Sequence, residues 1–165
     1  EKIILPGVGS FDWSISRLES SGMRSSLDNL VLNNGCPILG ICVGMQMMAN
    51  RSEEGILPGL GWFDAEVRHF NETDVHQKFN CPHMGWNDVL SIEKDTLFKK
   101  LDFPRFYFLH SYYFTIEDST QVLSTTNYHG DFISAVKNGK IFGVQFHPEK
   151  SHRWGVQLLQ NFAEL

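Results

Sequence analysis

The chain has 165 residues, 42% of them hydrophobic, 13% aromatic and 20% charged, with a formal net charge of -5. This is an ordinary composition for one globular domain with a substantial core, and no apolar run is long enough to cross a bilayer as a helix. The negative balance and the lack of a Lys/Arg cluster speak against nucleic acid as a partner, and three widely spaced cysteines fit a reducing cytoplasm better than a disulfide framework.

In chain order, residues 3–5 read as a short buried strand and 6–10 as a tight loop. Phe11, Ile15 and Leu18 then recur at helical spacing behind Ser10, an N-cap candidate. Leu27, Leu30 and Val31 mark a second short helix, which Gly35 is suited to end. Residues 37–41 form a continuous apolar run of the buried-strand type, and 45–49 continue beyond Cys42 as a helix with Met47 and Met48 as core filler. Strands dominate from there, at 63–70, 89–90, 106–109, 113–116, 122–126, 132–136 and 141–146. Asn138-Gly139 between the last two predicts a type I′ hairpin. Trp154, Leu158, Leu159 and Phe162 give a closing helix one apolar face. Helices early and strands late predict an α/β fold in a single domain, residues 1–165. Its architecture would be a three-layer αβα sandwich with a mainly parallel sheet carrying the Cys42 strand and an antiparallel extension in the second half.

Two of these strands end in reactive residues. Gly40-Ile41-Cys42-Val43-Gly44 puts a cysteine where a buried strand must turn into a helix. A nucleophile on such a turn stands above the sheet over a helix N-terminus, where the dipole and unpaired N–H groups favour the thiolate. Gln145-Phe146-His147-Pro148-Glu149 delivers a histidine and a carboxylate two residues apart, on one side of an extended chain. Cys42, His147 and Glu149 thus form a nucleophile, a base and its orienter. Alone, a glycine-flanked cysteine is a small hydrophobe and His-Pro-Glu a surface turn; their occurrence together at strand ends points to catalysis. The Val43 N–H, first in its helix, is placed to donate to an oxyanion. Cys36, Cys81 and His110 read as structural. Cys81-Pro82-His83 has no second Cys/His pair at suitable spacing, so no metal is expected. Trp86, beside Gly85, is either a lid on the core or an exposed anchor for a partner.

Gly-Ile-Cys-Val-Gly-Met-Gln at 40–46, followed by Gly-Val-Gln-Phe-His-Pro-Glu-Lys at 143–150, resembles the class I (triad) glutamine amidotransferases. Leu5-Pro6-Gly7-Val8-Gly9, Ser52-Glu53-Glu54-Gly55, Pro82-His83-Met84-Gly85-Trp86-Asn87 and Leu109-His110-Ser111-Tyr112 narrow the resemblance to the glutaminase subunits of imidazole glycerol phosphate synthases, in histidine biosynthesis. It covers essentially the whole chain. It implies that Cys42 attacks the side-chain amide of glutamine without a cofactor. The ammonia would pass to a synthase (cyclase) subunit, a (β/α)8 barrel in a heterodimer, which makes imidazole glycerol phosphate and AICAR. By the same resemblance the Gly7-Val8-Gly9 loop supplies the second oxyanion donor, Gln46 and Glu54 hold glutamine, and Gly9 with the backbone of Ser111 and Tyr112 completes the pocket. Trp86 and Lys150 would face the partner. The family has a strand, a helix and a strand ahead of this point, and the chain opens at Glu1 without Met, so an N-terminal portion is expected to be missing. Val43 stands where Leu is commoner, and residues 149–155 look closer to paralogues that feed ammonia to the amidination of a surface-polysaccharide sugar. A stand-alone γ-glutamyl hydrolase would use the same triad.

Overall fold

The computed structural model describes residues 1–70, 81–92 and 96–165. Its strands are β1 (Ile3–Gly7), β2 (Ile38–Cys42), β3 (Arg51–Ser52), β4 (Ala65–His69), β5 (His83–Asp88), β6 (Leu90–Ser91), β7 (Arg105–His110), β8 (Tyr112–Ile116), β9 (Val122–Asn127), β10 (Asp131–Asn138) and β11 (Ile141–Val144). The helices are α1 (Phe11–Ser20), α2 (Arg24–Asp28), α3 (Val43–Gln46) and α4 (His152–Glu164).

β2 is buried at all five positions, as expected of a strand with parallel neighbours covered on both faces. It lies between β1 and β11, parallel to both, with Gly7 level with Cys42 and Ile41 level with Val144. The ends of three parallel strands therefore meet at Cys42. Beyond β11 the sheet turns antiparallel through β10, β8 and β4, with β9 also paired to β10 and β3 added at the far edge. This antiparallel part is the expected extension of a mixed α/β fold, but only β8, β9 and β10 come from the second half of the chain; β4, and β3 at the edge, come from the first. β5 and β7 form a separate antiparallel ladder in which His83 pairs with His110 and Trp86 with Tyr107. Among the described residues one isolated bridge, Tyr107 to His147, ties that ladder to the chain just beyond β11.

Ser10 caps α1 through its hydroxyl, which accepts from the Trp13 N–H at 3.4 Å. α2 runs on into a π turn, Asn29–Asn33, and Gly35 sits just past its Asn34 cap at φ 62°. The β10–β11 hairpin forms, but not as type I′. Asn138 pairs with Ile141, so the central residues are Gly139 and Lys140, and of these only Gly139 has positive φ. That is the type II′ requirement. Asn138 stays in the strand, donating from Nδ2 to the Trp62 carbonyl at 3.3 Å. The helix after Cys42 stops at Gln46; Met47, Met48 and Ala49 are buried in turns instead. Residue 63 is likewise core without being strand, because β4 starts only at Ala65. Phenylalanines fill the centre: Phe106 and Phe146 stack at 3.9 Å, and Phe98 and Phe108 meet Phe146 edge-on.

Candidate active site

Cys42 is the hinge between β2 and α3, with φ 54° and ψ -114°. A non-glycine residue at positive φ is strained and persists only where its surroundings over-determine it. Two close backbone approaches do so here. A Cβ on Gly44 would run into the Leu5 carbonyl, and one on Gly7 into the backbone of Val43 and Gly44. β1 and the first turn of α3 thus interlock through glycines, and the Gly7-Val8-Gly9 loop is carried beside the elbow, with Gly9 at φ 88°.

The sulfur lies almost wholly buried. Burial pushes the thiol up to about 11, against a smaller downward pull from the Val43 N–H; the Glu149 charge adds to the rise, and a hydrogen bond from Gln145 opposes it. The sequence expectation that the helix N-terminus favours the thiolate is therefore outweighed. α3 has only four residues, too few dipoles to offset desolvation. The resting thiol is protonated, with the Leu109 carbonyl 3.9 Å from Sγ as its acceptor.

His147 follows Phe146, whose ring is locked in the aromatic core. Its N–H donates to the Tyr107 carbonyl at 2.8 Å, and its own carbonyl accepts from the Ser151 hydroxyl at 2.6 Å. Glu149 Oε1 lies 2.7 Å from His147 Nδ1. Because a carboxylate only accepts, Nδ1 carries the proton and Nε2 is the free basic nitrogen. The two side chains meet because the chain turns through a short 3₁₀ segment, Pro148–Lys150, rather than staying extended.

Gln46 is buried, and its Nε2 donates to the Tyr112 carbonyl at 3.1 Å and to Gln145 Oε1 at 3.0 Å. Glu54 Oε2 accepts from the Phe11 N–H at 2.8 Å, which fastens its loop to the start of α1. Asp12 binds the same loop from the other side, accepting from the N–H groups of Ile56 and Leu57 at 3.0 and 3.1 Å. The Ser111 carbonyl accepts from the Phe70 N–H at 3.2 Å. Trp86 is 39% exposed and its ring lies flat on His152, 5.4 Å between centroids at 2°. Lys150 Nζ sits over the Tyr107 ring at 5.6 Å. Trp86, Met84 and Leu109 share the outer face of the β5–β7 ladder.

Gln145 went unremarked in the sequence reading. It is fully buried and donates from Nε2 to Cys42 Sγ at 3.7 Å. The parallel register could have found it, since Ile41 level with Val144 makes Gln145 the neighbour of Cys42. His83 and His110 also form a pair, 3.0 Å from Nδ1 of the first to Nε2 of the second. With both nitrogens of His83 engaged, by His110 and by Asn87, that ring has no lone pair turned to a metal.

The family model of the class-I glutamine amidotransferases matches residues 2–165. The chain is 52% identical over 165 residues to the imidazole glycerol phosphate synthase subunit HisH of Bdellovibrio bacteriovorus, covering 99% of this chain and 81% of that one. It is 52% identical to the protein of the same name from Leptospira borgpetersenii, covering 100% and 81%. For HisH 2 of Pseudomonas aeruginosa the identity is 45% over 166 residues, covering 100% and 81%. A crystal structure of glutamine amidotransferase superposes with a TM-score of 0.70 at 20% identity, over 98% of this chain and 76% of that chain. The glutaminase domain of Trypanosoma brucei CTPS with bound acivicin gives 0.62 at 19%, over 99% and 71%. At those identities the likeness is one of fold.

Proposed function

Because the chain belongs to the class-I glutamine amidotransferase family, we propose that it is the glutaminase subunit of an imidazole glycerol phosphate synthase, hydrolysing glutamine and handing the ammonia to a synthase subunit. The observation that carries the reading is the buried Cys42 elbow at the meeting point of three strand ends, with the His147–Glu149 pair on the continuation of the adjacent strand.

Cys42 Sγ bonds to the side-chain amide carbon of glutamine as its proton passes to His147 Nε2. The oxyanion is received by the Val43 N–H and by an N–H of the Gly7-Val8-Gly9 loop. The C–N bond then breaks, and His147 returns the proton to the departing nitrogen, releasing ammonia and leaving a glutamyl thioester. Water, deprotonated by His147, cleaves the thioester to glutamate and restores the thiol. Glu149 orients the imidazole and supports its charged form. Glu54, with one oxygen on the Phe11 N–H, offers the other to the α-ammonium group of glutamine. Gln46 has both amide hydrogens engaged, so its oxygen is what it can offer the substrate, beside the backbone of Gly9, Ser111 and Tyr112.

The outer face of the β5–β7 ladder, with Trp86 and Lys150, receives the synthase subunit, a (β/α)8 barrel, in a cytoplasmic heterodimer. Among the described residues no helix is long and apolar enough to cross a membrane. The relatives at 45–52% identity carry the name of this synthase subunit, which favours the histidine pathway over sugar amidination or a stand-alone hydrolase. The test is reconstitution with the synthase subunit of the same genome. Glutamine should support formation of imidazole glycerol phosphate, and Cys42→Ala should lose this while added ammonia still works. Undiminished glutaminase turnover in Cys42→Ala would refute the nucleophile, and failure of the pair to make product from glutamine would refute the acceptor.

A further inference from the structure

One backbone carbonyl fixes the hydrogens of a chain of side chains that ends on Cys42. The Tyr112 oxygen can only accept, so His110 Nδ1, 2.7 Å away, carries the hydrogen, and Nε2 of that neutral ring is an acceptor. His83 Nδ1 must then donate to it at 3.0 Å, and His83 Nε2 accepts from Asn87 Nδ2 at 3.1 Å. Burial keeps both rings neutral, bringing His83 down to about 4 and His110 to about 3. The same carbonyl accepts from Gln46 Nε2 at 3.1 Å, and the second Gln46 hydrogen goes to Gln145 Oε1 at 3.0 Å. Gln145 is thereby turned so that its nitrogen, not its oxygen, meets Cys42 Sγ at 3.7 Å. Flipping it would oppose two donors at Gln46 and set an oxygen lone pair against the sulfur. Full burial leaves it no solvent partner as an alternative.

We propose that Gln145 is a catalytic residue whose side-chain N–H receives the Cys42 thiolate as His147 removes the proton, and that His110, His83 and Gln46 are positioning residues that hold this donor on the sulfur. The inference rests on the glutaminase reading and adds a group to it. A thiol has the Leu109 carbonyl to donate to; once the proton has left, that contact turns repulsive, while the donors from Val43 and Gln145 become charge-assisted. Both already pull the thiol downward against its burial. A donor aimed at the charged form of a nucleophile stabilises the state that attacks, so its loss should appear in kcat before it appears in KM.

The experiment follows alkylation of Cys42 by iodoacetamide as a function of pH, read by peptide mass spectrometry so that Cys36 and Cys81 do not interfere, together with steady-state glutaminase kinetics of the synthase complex. Gln145→Met keeps the volume and removes the donor. Its alkylation midpoint should rise by about one pH unit, as expected for loss of one hydrogen bond to a charged group, with kcat down about tenfold and KM for glutamine within twofold. Gln145→Asn withdraws the same donor by one methylene while staying polar, and should shift the midpoint the same way; it carries the test if the Met variant does not fold. His110→Phe should move the midpoint upward by less. An unchanged midpoint in folded Gln145→Met or Gln145→Asn, even with lowered thermal stability, would reduce Gln145 to packing and overturn the proposal. An unchanged midpoint in His110→Phe would overturn the positioning chain. Turnover persisting in Cys42→Ala would instead refute the glutaminase reading itself, a separate result.

Discussion

In the proposed mechanism, His147 and Glu149 divide their work by exposure. The imidazole is buried while the carboxylate is half exposed, so water can replace part of what Glu149 does but nothing replaces the base. We therefore expect His147→Ala to lower single-turnover release of glutamate by about 10²–10⁴-fold, the usual worth of a positioned acid–base group. Glu149→Gln, which keeps an acceptor for Nδ1, should lose less. Equal losses in the two variants, measured with the synthase bound, would mean that Glu149 does more than orient.

At the scale of elements, the site depends on β1 and α3 being able to touch. Gly44→Ala would drive a methyl group into the Leu5 carbonyl, and relief requires prising β1 from the elbow. The cost should be about 1–3 kcal/mol or more, as for other overpacked sites, seen as a lowered urea midpoint together with loss of glutaminase turnover. A fully active, equally stable Gly44→Ala would show that β1 and the elbow are not rigidly joined. The β2 strand and the elbow after it were legible in the sequence because a continuous apolar run ends in Cys42 between two glycines, and a second strand ending in His-Pro-Glu gave that cysteine partners. His147 and Glu149 were legible as neighbours, although the contact comes from a 3₁₀ turn that spacing alone does not reveal. The His83–His110 pair was not legible: 27 residues separate the two rings, and only the β5–β7 register brings them together. The protonated state of Cys42 was missed for a related reason, since burial is a property of the packed sheet and a four-residue helix is too short to counter it.

Over the whole molecule, the proposed partner face adjoins the proposed triad, since Tyr107 of the β5–β7 ladder bridges to His147. The loop at Gly7–Gly9 carries an exposed Val8 and a positive φ at Gly9, and in the proposed mechanism a peptide there turns an N–H toward the oxyanion. Docking of a substrate-loaded synthase can supply that rearrangement, and one missing oxyanion donor costs about 2.7–4 kcal/mol in barrier. Glutamine turnover by the isolated subunit should therefore be slow and rise about a hundredfold or more in the complex; equal rates would favour a stand-alone hydrolase. Trp86→Ala and Lys150→Ala should raise the glutamate formed per product made with little change in KM for glutamine, because they loosen the seal and not the pocket. A ratio still near one to one with normal complex affinity would place the ammonia exit elsewhere. Stability has its own pH signature. His83 and His110 titrate in the folded protein below the ordinary 6.5, at about 4 and about 3, so the unfolded chain binds more protons throughout that interval. Stability should fall as pH drops from about 6.5 towards 4, by an amount of the order of a few kcal/mol, and owe no pH dependence to this pair above that range. Urea midpoints at pH 7.5, 6 and 5 measure it, and His110→Phe should flatten the slope.

The neutral, enclosed thiol at the elbow also has a consequence for survival under oxidative stress. Peroxide reacts with thiolates, and sulfenic acid formation tracks thiolate character and access. A nucleophile kept protonated near pH 7 beneath the Leu109 carbonyl is stored in its least oxidisable form and becomes vulnerable only while it is at work. Hydrogen peroxide should inactivate the idle subunit more slowly than it inactivates one turning over glutamine in the complex.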